Sequence, residues 1–512
     1  MAVPSYRSFP SPLLGMGLNG GQNVPIKESS GDYEHPMDVE SFRVAAKSMI
    51  DWICDYYDNV ESLPVRSELS VGDIRSVLPS EAPTGPESWN KISSDFQEKI
   101  MPGVMHWQSP NFYAYFPSAF SFPSLLGDLM SSALSVNGFL WVSSPAATEL
   151  ETVVVDWLGK MMGLPQAFLA IDSEGKRGKG GGVVQTTASE CTLVALLAAR
   201  ARIMEGRPLS DTSRLVCYFS DQAHSSVRKA CMVAVTPHVR VLPTCHSTGF
   251  SMEPALLEAA IKEDLAAGLL PFYMVGTIGT TSSCAVDPIG EMGAIAQKYK
   301  LWLHVDGAHA GVAAILPEQR HHFAGVELAD SFNTNPHKWL LTTFDCSCIW
   351  FRDADPLKAA LSLTPAYLRG KGNAYDYQNW EIPVGRRFRS LKLWFVLRAY
   401  GQEKLQGFLR HHIRLAETVA ALARKDERFE VSAPPRFGLV CFRLKGRSNE
   451  DTSALIEAFN KTGKAFLITT DLAGQTVARI ACGGFMTQER HVRATWQLIG
   501  DTATALFSAP EE

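Results

Sequence analysis

The chain predicts an α/β fold built on a mostly parallel sheet, and three observations carry that expectation. Phe272-Tyr273-Met274-Val275 and Leu301 to Val305 are short apolar runs, and between them Met292, Ile295, Ala296 and Tyr299 recur at helical spacing. Strands alternating with helices at this spacing imply parallel strands covered on both faces. The second apolar run ends in Asp306, and ligands of such sheets bind beyond the carboxyl ends of the strands. At 512 residues the chain also exceeds what one core usually holds, so two or three structural units are expected.

The first 35 residues are rich in Ser, Pro and Gly and read as a disordered tail. They lack the charged start and apolar core of a secretory signal. Arg7 and several serines, with no acid before Glu28, leave an organellar transit peptide as the alternative. Residues 36–120 form a helical segment. Phe42, Ala45, Met49, Ile53 and Tyr56 make one apolar stripe, Asp38 is placed to cap it, and a second helix is expected from Trp89 to Ile100. This segment is too open to build its own core, so it is read as packing on a second subunit.

Residues 121–395 are read as the large domain. Pro145 starts a helix that runs through Met162. Gly180-Gly181-Gly182 leads through Val183-Val184-Gln185 to Thr186-Thr187-Ala188-Ser189 and a helix from Cys191 to about Met204. Small residues there expose backbone N–H groups at the positive end of a helix dipole, an anion site, although Ser and Thr are also plain helix caps. A further helix starts near Ser390. Residues 396–512 read as a small α+β domain, with strands at Leu439 to Leu444 and Val477 to Ala481 around a helix from Thr452 to Asn460.

Composition excludes several classes. The net charge of −5 gives no reason to expect nucleic acid or an anionic membrane. Ten cysteines are scattered without a CxxC pair, so no metal site or disulfide framework is expected and a reducing, cytoplasmic setting is. No apolar run reaches the ~18 residues of a membrane span.

The chemistry begins at Thr334-Asn335-Pro336-His337-Lys338-Trp339, whose lysine lies 32 residues beyond Asp306. A lone lysine beside a tryptophan is usually a surface residue packing its stem. Paired with a carboxylate at the end of a buried strand, it suits pyridoxal 5'-phosphate (PLP). That cofactor needs a lysine to attach it and a carboxylate to keep its ring nitrogen protonated.

With these residues in view, the chain resembles the PLP-dependent aromatic L-amino-acid decarboxylases, above all the plant tyrosine/tryptophan decarboxylase and aromatic aldehyde synthase group. The resemblance rests on HWQSPNFYAYFPS at 106–118, SSPAATELE at 143–151, SDQAHSSVRKA at 220–230, NPHKW at 335–339 and RRFRSLKLW at 386–394. It implies the fold type I, aspartate aminotransferase-like PLP fold and a homodimer. Lys338 would attach the cofactor, Asp306 would pair with its ring nitrogen, and Thr187, Ala188 and Ser189 would hold its phosphate. Thr281, Ala308, Asn335 and His337 would complete the shell, and His224 would stack over the ring. Trp107, Tyr115, Phe116, Pro117, Asn137, Phe139 and Gly385 would line the substrate pocket with His224 and His337. Tyr367, in Thr364-Pro365-Ala366-Tyr367-Leu368, would return a proton to the α-carbon once CO2 has left.

The resemblance implies an aromatic L-amino acid as substrate and an amine as product. A glycine at 385 goes with tryptophan-preferring relatives and a serine with phenolic substrates. Two departures bear on substrate: Gly307-Ala308-His309 stands where relatives have an Ala-Tyr pair, and Asn137 stands where an apolar residue is usual. One alternative is an aldehyde synthase, which goes with loss of the loop tyrosine or the stacking histidine; Tyr367 and His224 are both present. The other is a catalytically silent scaffold, against which Lys338, Asp306 and Tyr367 argue together.

Overall fold

The computed structural model describes residues 37–362 and 376–507. The chain divides into two compact units, one of residues 1–112 with 457–466 and the other of residues 113–456 with 467–512. In the first unit, α1 (Val39–Asn59) begins at Asp38, whose carboxylate accepts the Ser41 N–H. Trp52 and Tyr56 of α1 pack on a small core of Leu63 and Met101. Val39, Phe42, Met49 and Ile50 remain exposed along the same helix.

The second unit is built on a seven-stranded sheet. In chain order its elements are α2 (Pro145–Met162), β1 (Gly181–Gln185), α3 (Ala188–Met204), β2 (Leu215–Ser220), α4 (Ser225–Val233), β3 (His238–Leu242), β4 (Leu270–Thr277), α5 (Ile289–Tyr299), β5 (Trp302–Asp306), β6 (Ser331–Thr334) and β7 (Ser347–Phe351). The strand order is β1-β7-β6-β5-β4-β2-β3, and β7 runs against both of its neighbours while the other pairs are parallel. Apart from the edge strand β3, the strands are buried on both faces, as parallel sheets require. Alternate residues of β2 divide accordingly: Val216 and Tyr218 join a core with α2 and α5, and Leu215, Cys217 and Phe219 join one with α3 and α4.

The helix α6 (Ser390–Lys425) follows, broken at Gly401, where φ of 61° leaves the helical region. Beyond it β8 (Phe429–Val431), β9 (Leu439–Leu444), β10 (Ile468–Leu472) and β11 (Gln475–Ala481) form an antiparallel sheet ordered β10-β11-β9-β8. Among the described residues, no helix is long and apolar enough to cross a membrane.

A buried ion network ties the stretch before α6 to the large sheet. Arg386 lies 2.7 Å from Glu151 of α2 and 2.5 Å from Glu381, and Arg389 stands 3.8 Å from the same Glu381. Glu151 also accepts the Val184 N–H at 2.8 Å, and Arg386 donates to the Val184 carbonyl at 3.1 Å. Removing one member of such a network leaves a buried charge uncompensated, which costs about 3 to 5 kcal/mol. Glu151→Gln, which removes the carboxylate 2.7 Å from the buried Arg386, is therefore expected to lower stability by about 3 kcal/mol, measured as a shift in the urea unfolding curve; an unmoved curve would show that the network carries no net stability.

Candidate active site

The site lies at the carboxyl end of β5. Asp306 is the last residue of that strand, in register with Thr277 of β4 and Asn333 of β6. It is 3% exposed, and its Oδ1 accepts the N–H of Ala308 at 2.9 Å. Among the described residues its second oxygen has no hydrogen-bond partner, so it is free to face a ligand. Lys338 sits in the single helical turn Pro336–Trp339 that follows β6. Its backbone N–H bonds Asn335 O at 2.9 Å, and Asn335 N–H bonds Ala308 O at 3.0 Å, so the lysine turn and the aspartate loop are stitched together. The neighbouring Trp339 anchors the turn, donating its indole N–H to His412 Nδ1 at 3.0 Å.

Lys338 Nζ makes no hydrogen bond or ion pair among the described residues and lies 5.6 Å from the Phe116 ring centroid. Burial lowers its pKa, while the nearby Asp306 acts to raise it. His337 is buried, its Nδ1 accepts the Cys346 N–H at 2.9 Å, and its ring lies 4.5 Å from that of Phe344. Burial, with Lys338 and Lys392 adding to it, pushes its pKa down to about 3. His224 caps α4, its Nδ1 accepting the Ser226 N–H at 3.1 Å. Although its side chain is exposed, loss of hydration lowers its pKa, and both Asp306 and Lys338 act on it.

The expected anion site falls at the start of α3. Thr187 occupies the cap position without using its side chain, and the backbone N–H groups of Ala188 and Ser189 find no acceptor among the described residues. Cys191 in the same turn contacts Ser347 Oγ at 3.1 Å, which in turn donates to Asn335 Oδ1 at 2.6 Å. The start of α3 is thereby linked to the lysine turn. Thr281 lies in the turn after β4, half-buried. An amine, a carboxylate with one free oxygen and a set of unpaired N–H groups fit PLP: a group to attach, a ring nitrogen to protonate and a phosphate to hold.

Several residues that patterning did not single out complete this site. Arg479 of β11, 2% exposed, sits with Cζ 5.1 Å from the Phe116 ring, opposes protonation of Lys338, and donates through Nε to Ser282 O at 3.2 Å. A charged residue inside Val477-Ala478-Arg479-Ile480-Ala481 is the signal that marks it. His309, one of the two departures, stacks between Phe116 (3.7 Å, 16°) and Trp339 (4.9 Å, 17°). Its Nε2 faces Phe437 O at 3.0 Å. A carbonyl only accepts, so Nε2 carries the proton.

Of the expected substrate wall, Phe116 stands at this site and is followed by Pro117, which packs against Gly483. Tyr115 is exposed, with a left-handed φ of 57° that is rare for a bulky residue. Asn137, Phe139 and Gly385 form a second group. Arg386 N–H donates to Asn137 Oδ1 at 2.8 Å, Gly138 N–H to Arg386 O at 3.1 Å and Gln378 N–H to Phe139 O at 3.1 Å. No hydrogen bond, ion pair or ring contact among the described residues joins this group directly to Lys338. Trp107 belongs to the first unit, stacked on Phe112 at 4.5 Å. Tyr367 lies outside the described residues. Among the described residues no cluster of His, Cys, Asp or Glu could hold a metal ion.

Comparison with known proteins places this geometry. Residues 72–445 match the model of the pyridoxal-dependent decarboxylase conserved domain. The chain is 46% identical to tyrosine decarboxylase 2 of Narcissus pseudonarcissus, over 93% of this chain and 96% of that one. It is 45% identical to phenylacetaldehyde synthase of Arabidopsis thaliana, over 94% and 100%. The crystal structure of Catharanthus roseus tryptophan decarboxylase in complex with L-tryptophan superposes with a TM-score of 0.88 at 42% identity, over 93% of this chain and all of that one.

The buried histidines set the acid limit of the fold. Burial lowers the pKa of His304 to about 4 and of His309, His337 and His412 to about 3. All four are neutral in the native state, whereas the unfolded chain binds their protons near pH 6.5. Their contribution is fully present above that pH and is lost as pH falls below it, by up to about 1.4 kcal/mol per pH unit for each group. Asp287, raised to about 6 by burial, and Glu381, raised to about 8 by burial, act in the opposite sense but are two groups against four. Urea unfolding is expected to show stability falling steadily from pH 6.5 to 5; a flat profile would contradict the neutral assignments.

Proposed function

The chain belongs to the pyridoxal-dependent decarboxylases, and on that premise we propose that it releases CO2 from an aromatic L-amino acid to give the amine. Carbon–carboxylate cleavage needs somewhere for the electrons to go, and PLP when bound supplies that sink. The observation that carries the reading is the juxtaposition of Lys338, half-buried and unpaired, with Asp306, which keeps one oxygen free. Asp306 would keep the ring nitrogen protonated, and Lys338 would supply the amine that attaches the cofactor. Thr187, Ala188 and Ser189 would hold the phosphate, Thr281, Ala308, Asn335 and His337 would close the shell, and His224 would contact the ring.

Trp107, Tyr115, Phe116, Pro117, Asn137, Phe139 and Gly385 form the substrate wall in this reading. Gly385 supports a ring as large as indole, since a Cβ built there meets nothing within 4 Å except Asn137 Nδ2 at 3.7 Å. The working form is a homodimer with its sites at the subunit interface, in a cytoplasmic setting. The exposed apolar stripe of α1 supports a partner subunit, as do exposed Phe122, Leu126, Leu129, Met130 and Leu134 on the helix Phe122–Leu134. Isologous two-fold pairs are the commonest assembly. Light scattering is expected to give twice the chain mass of 56.1 kDa; a single-chain mass with full activity would refute the dimer.

The rival outcome is oxidative: the amino acid, O2 and water give aldehyde, CO2, ammonia and hydrogen peroxide. Tyr367 and His224, both present, favour the amine. Tyr367 is assigned as the acid that protonates the α-carbon after CO2 departs. Tyr367→Phe keeps the ring and removes only the O–H. Amine is expected to fall at least about tenfold while aldehyde and peroxide rise in equal amounts, followed together with tryptophan, tyrosine, phenylalanine and dihydroxyphenylalanine. Undiminished amine without peroxide would remove Tyr367 from this role. Aldehyde as the main product of the unmodified enzyme would favour the oxidative reading.

A further inference from the structure

Trp302, His304 and Asp306 alternate along β5, so their side chains share the face of the sheet that α3 covers. On β6 the residues in register with His304 and Asp306 are Ser331 and Asn333. All five are buried. Hydrogen bonds step between the two strands along this row. The Trp302 indole N–H donates to Ser331 Oγ at 2.9 Å, and Ser331 Oγ lies 2.8 Å from His304 Nδ1. An indole N–H only donates, and the Ser331 hydroxyl proton finds no other acceptor among the described residues, so it goes to Nδ1. Burial lowers the His304 pKa to about 4, although Asp306 and Asn333 act to raise it. The ring is therefore neutral, with its one proton on Nε2.

Beyond that point the row is unpaired. Among the described residues His304 Nε2, both amide atoms of Asn333 and the second oxygen of Asp306 have no hydrogen-bond partner. Buried polar groups are nearly always paired, so four open atoms at adjacent positions need a reason. Their order is complementary: an N–H on His304, an oxygen and then an NH2 on Asn333, and an oxygen on Asp306. Trp302 already reaches Ser331 diagonally across the two strands, and His304 bears the same relation to Asn333.

We propose that His304 and Asn333 are positioning residues: His304 orients the Asn333 amide, whose NH2 holds the free oxygen of Asp306 in place for the cofactor's ring nitrogen. This rests on the assignment of Asp306 to that nitrogen, made above. His304 offers Asn333 only a donor, which settles the amide with its oxygen toward the imidazole and its NH2 toward the carboxylate. A carboxylate oxygen has two lone pairs, so the free one can take the Asn333 N–H and the ring N–H together, while the other keeps the N–H of Ala308.

The test uses the full-length protein freed of cofactor and compares PLP with 1-deaza-PLP, in which C–H replaces the ring nitrogen. Dissociation constants are read from the quenching of tryptophan fluorescence, independently of turnover. The unmodified protein is expected to hold PLP at least about tenfold more tightly than the analogue, because hydrogen bonds between charged groups are the strong ones. Asn333→Leu and His304→Phe should each lower that preference at least about threefold, with affinity for the analogue unchanged within about twofold. His304→Gln keeps a side-chain N–H and should retain most of the preference. If one apolar replacement does not fold, the other decides; if neither folds, the row serves the fold and the proposal falls. An unmoved preference, or an equal loss for both ligands, also overturns it. Asp306→Ala tests the reading beneath: a preference that survives this change removes Asp306 from the ring nitrogen, whatever the other variants do.

Discussion

The site depends on a half-buried amine and a buried carboxylate that the fold brings near one another without letting them pair. A direct Lys338–Asp306 ion pair would satisfy both groups and leave neither for a ligand. Instead Asp306 spends one oxygen on its own loop, at Ala308 N–H, and Lys338 Nζ makes no ion pair among the described residues. Burial of an unpaired ammonium favours the neutral amine, which is the form that attacks a carbonyl. The separation is enforced by backbone: β5 fixes the aspartate between Thr277 and Asn333, and the turn after β6 is pinned through Trp339 to His412.

The second sheet acts on the same balance. Arg479 reaches in from β11 and places a second cation over the ring of Phe116, on which Lys338 also bears. Two cations sharing one apolar wall disfavour each other's charge, and the effect on Lys338 is to lower its pKa further. His309 lies in the same stack and stays neutral, so it adds flat packing surface without a third charge. An imidazole in this column keeps planar contact with Phe116 and Trp339 while offering a single N–H to Phe437 O.

Much of this was legible in the sequence, and the parts that were not have physical reasons. Helix α2 begins at Pro145 and ends at Met162 as expected, because a proline start and a glycine stop at Gly163 bracket a clear apolar stripe. Strands β4 and β5 were legible as apolar runs, and β9 and β11 as short ones in the last part of the chain. The antiparallel course of β7 was not, since a strand's direction leaves no mark on its composition. Strand β10, Ile468-Thr469-Thr470-Asp471-Leu472, alternates in burial and carries too little apolar character to stand out. Lys338 and Asp306 were legible as a pair, because each makes chemical sense only with the other. The Phe116–His309–Trp339 column and the reach of Arg479 were not, since they join residues distant in sequence through packing alone.

The same frame serves two outcomes, and that restricts where the difference between them can lie. A tyrosine decarboxylase and a phenylacetaldehyde synthase stand almost equally near this chain in overall identity. Residues that hold the phosphate, protonate the ring or attach the cofactor act before CO2 leaves, and both outcomes need that step. They cannot be what separates amine from aldehyde. The deciding groups must act afterwards, when an electron-rich α-carbon is met either by a proton or by O2. A proton arrives only from an acid positioned within hydrogen-bond reach of that carbon, so the choice rests on a few atoms that contribute almost nothing to stability or to overall likeness.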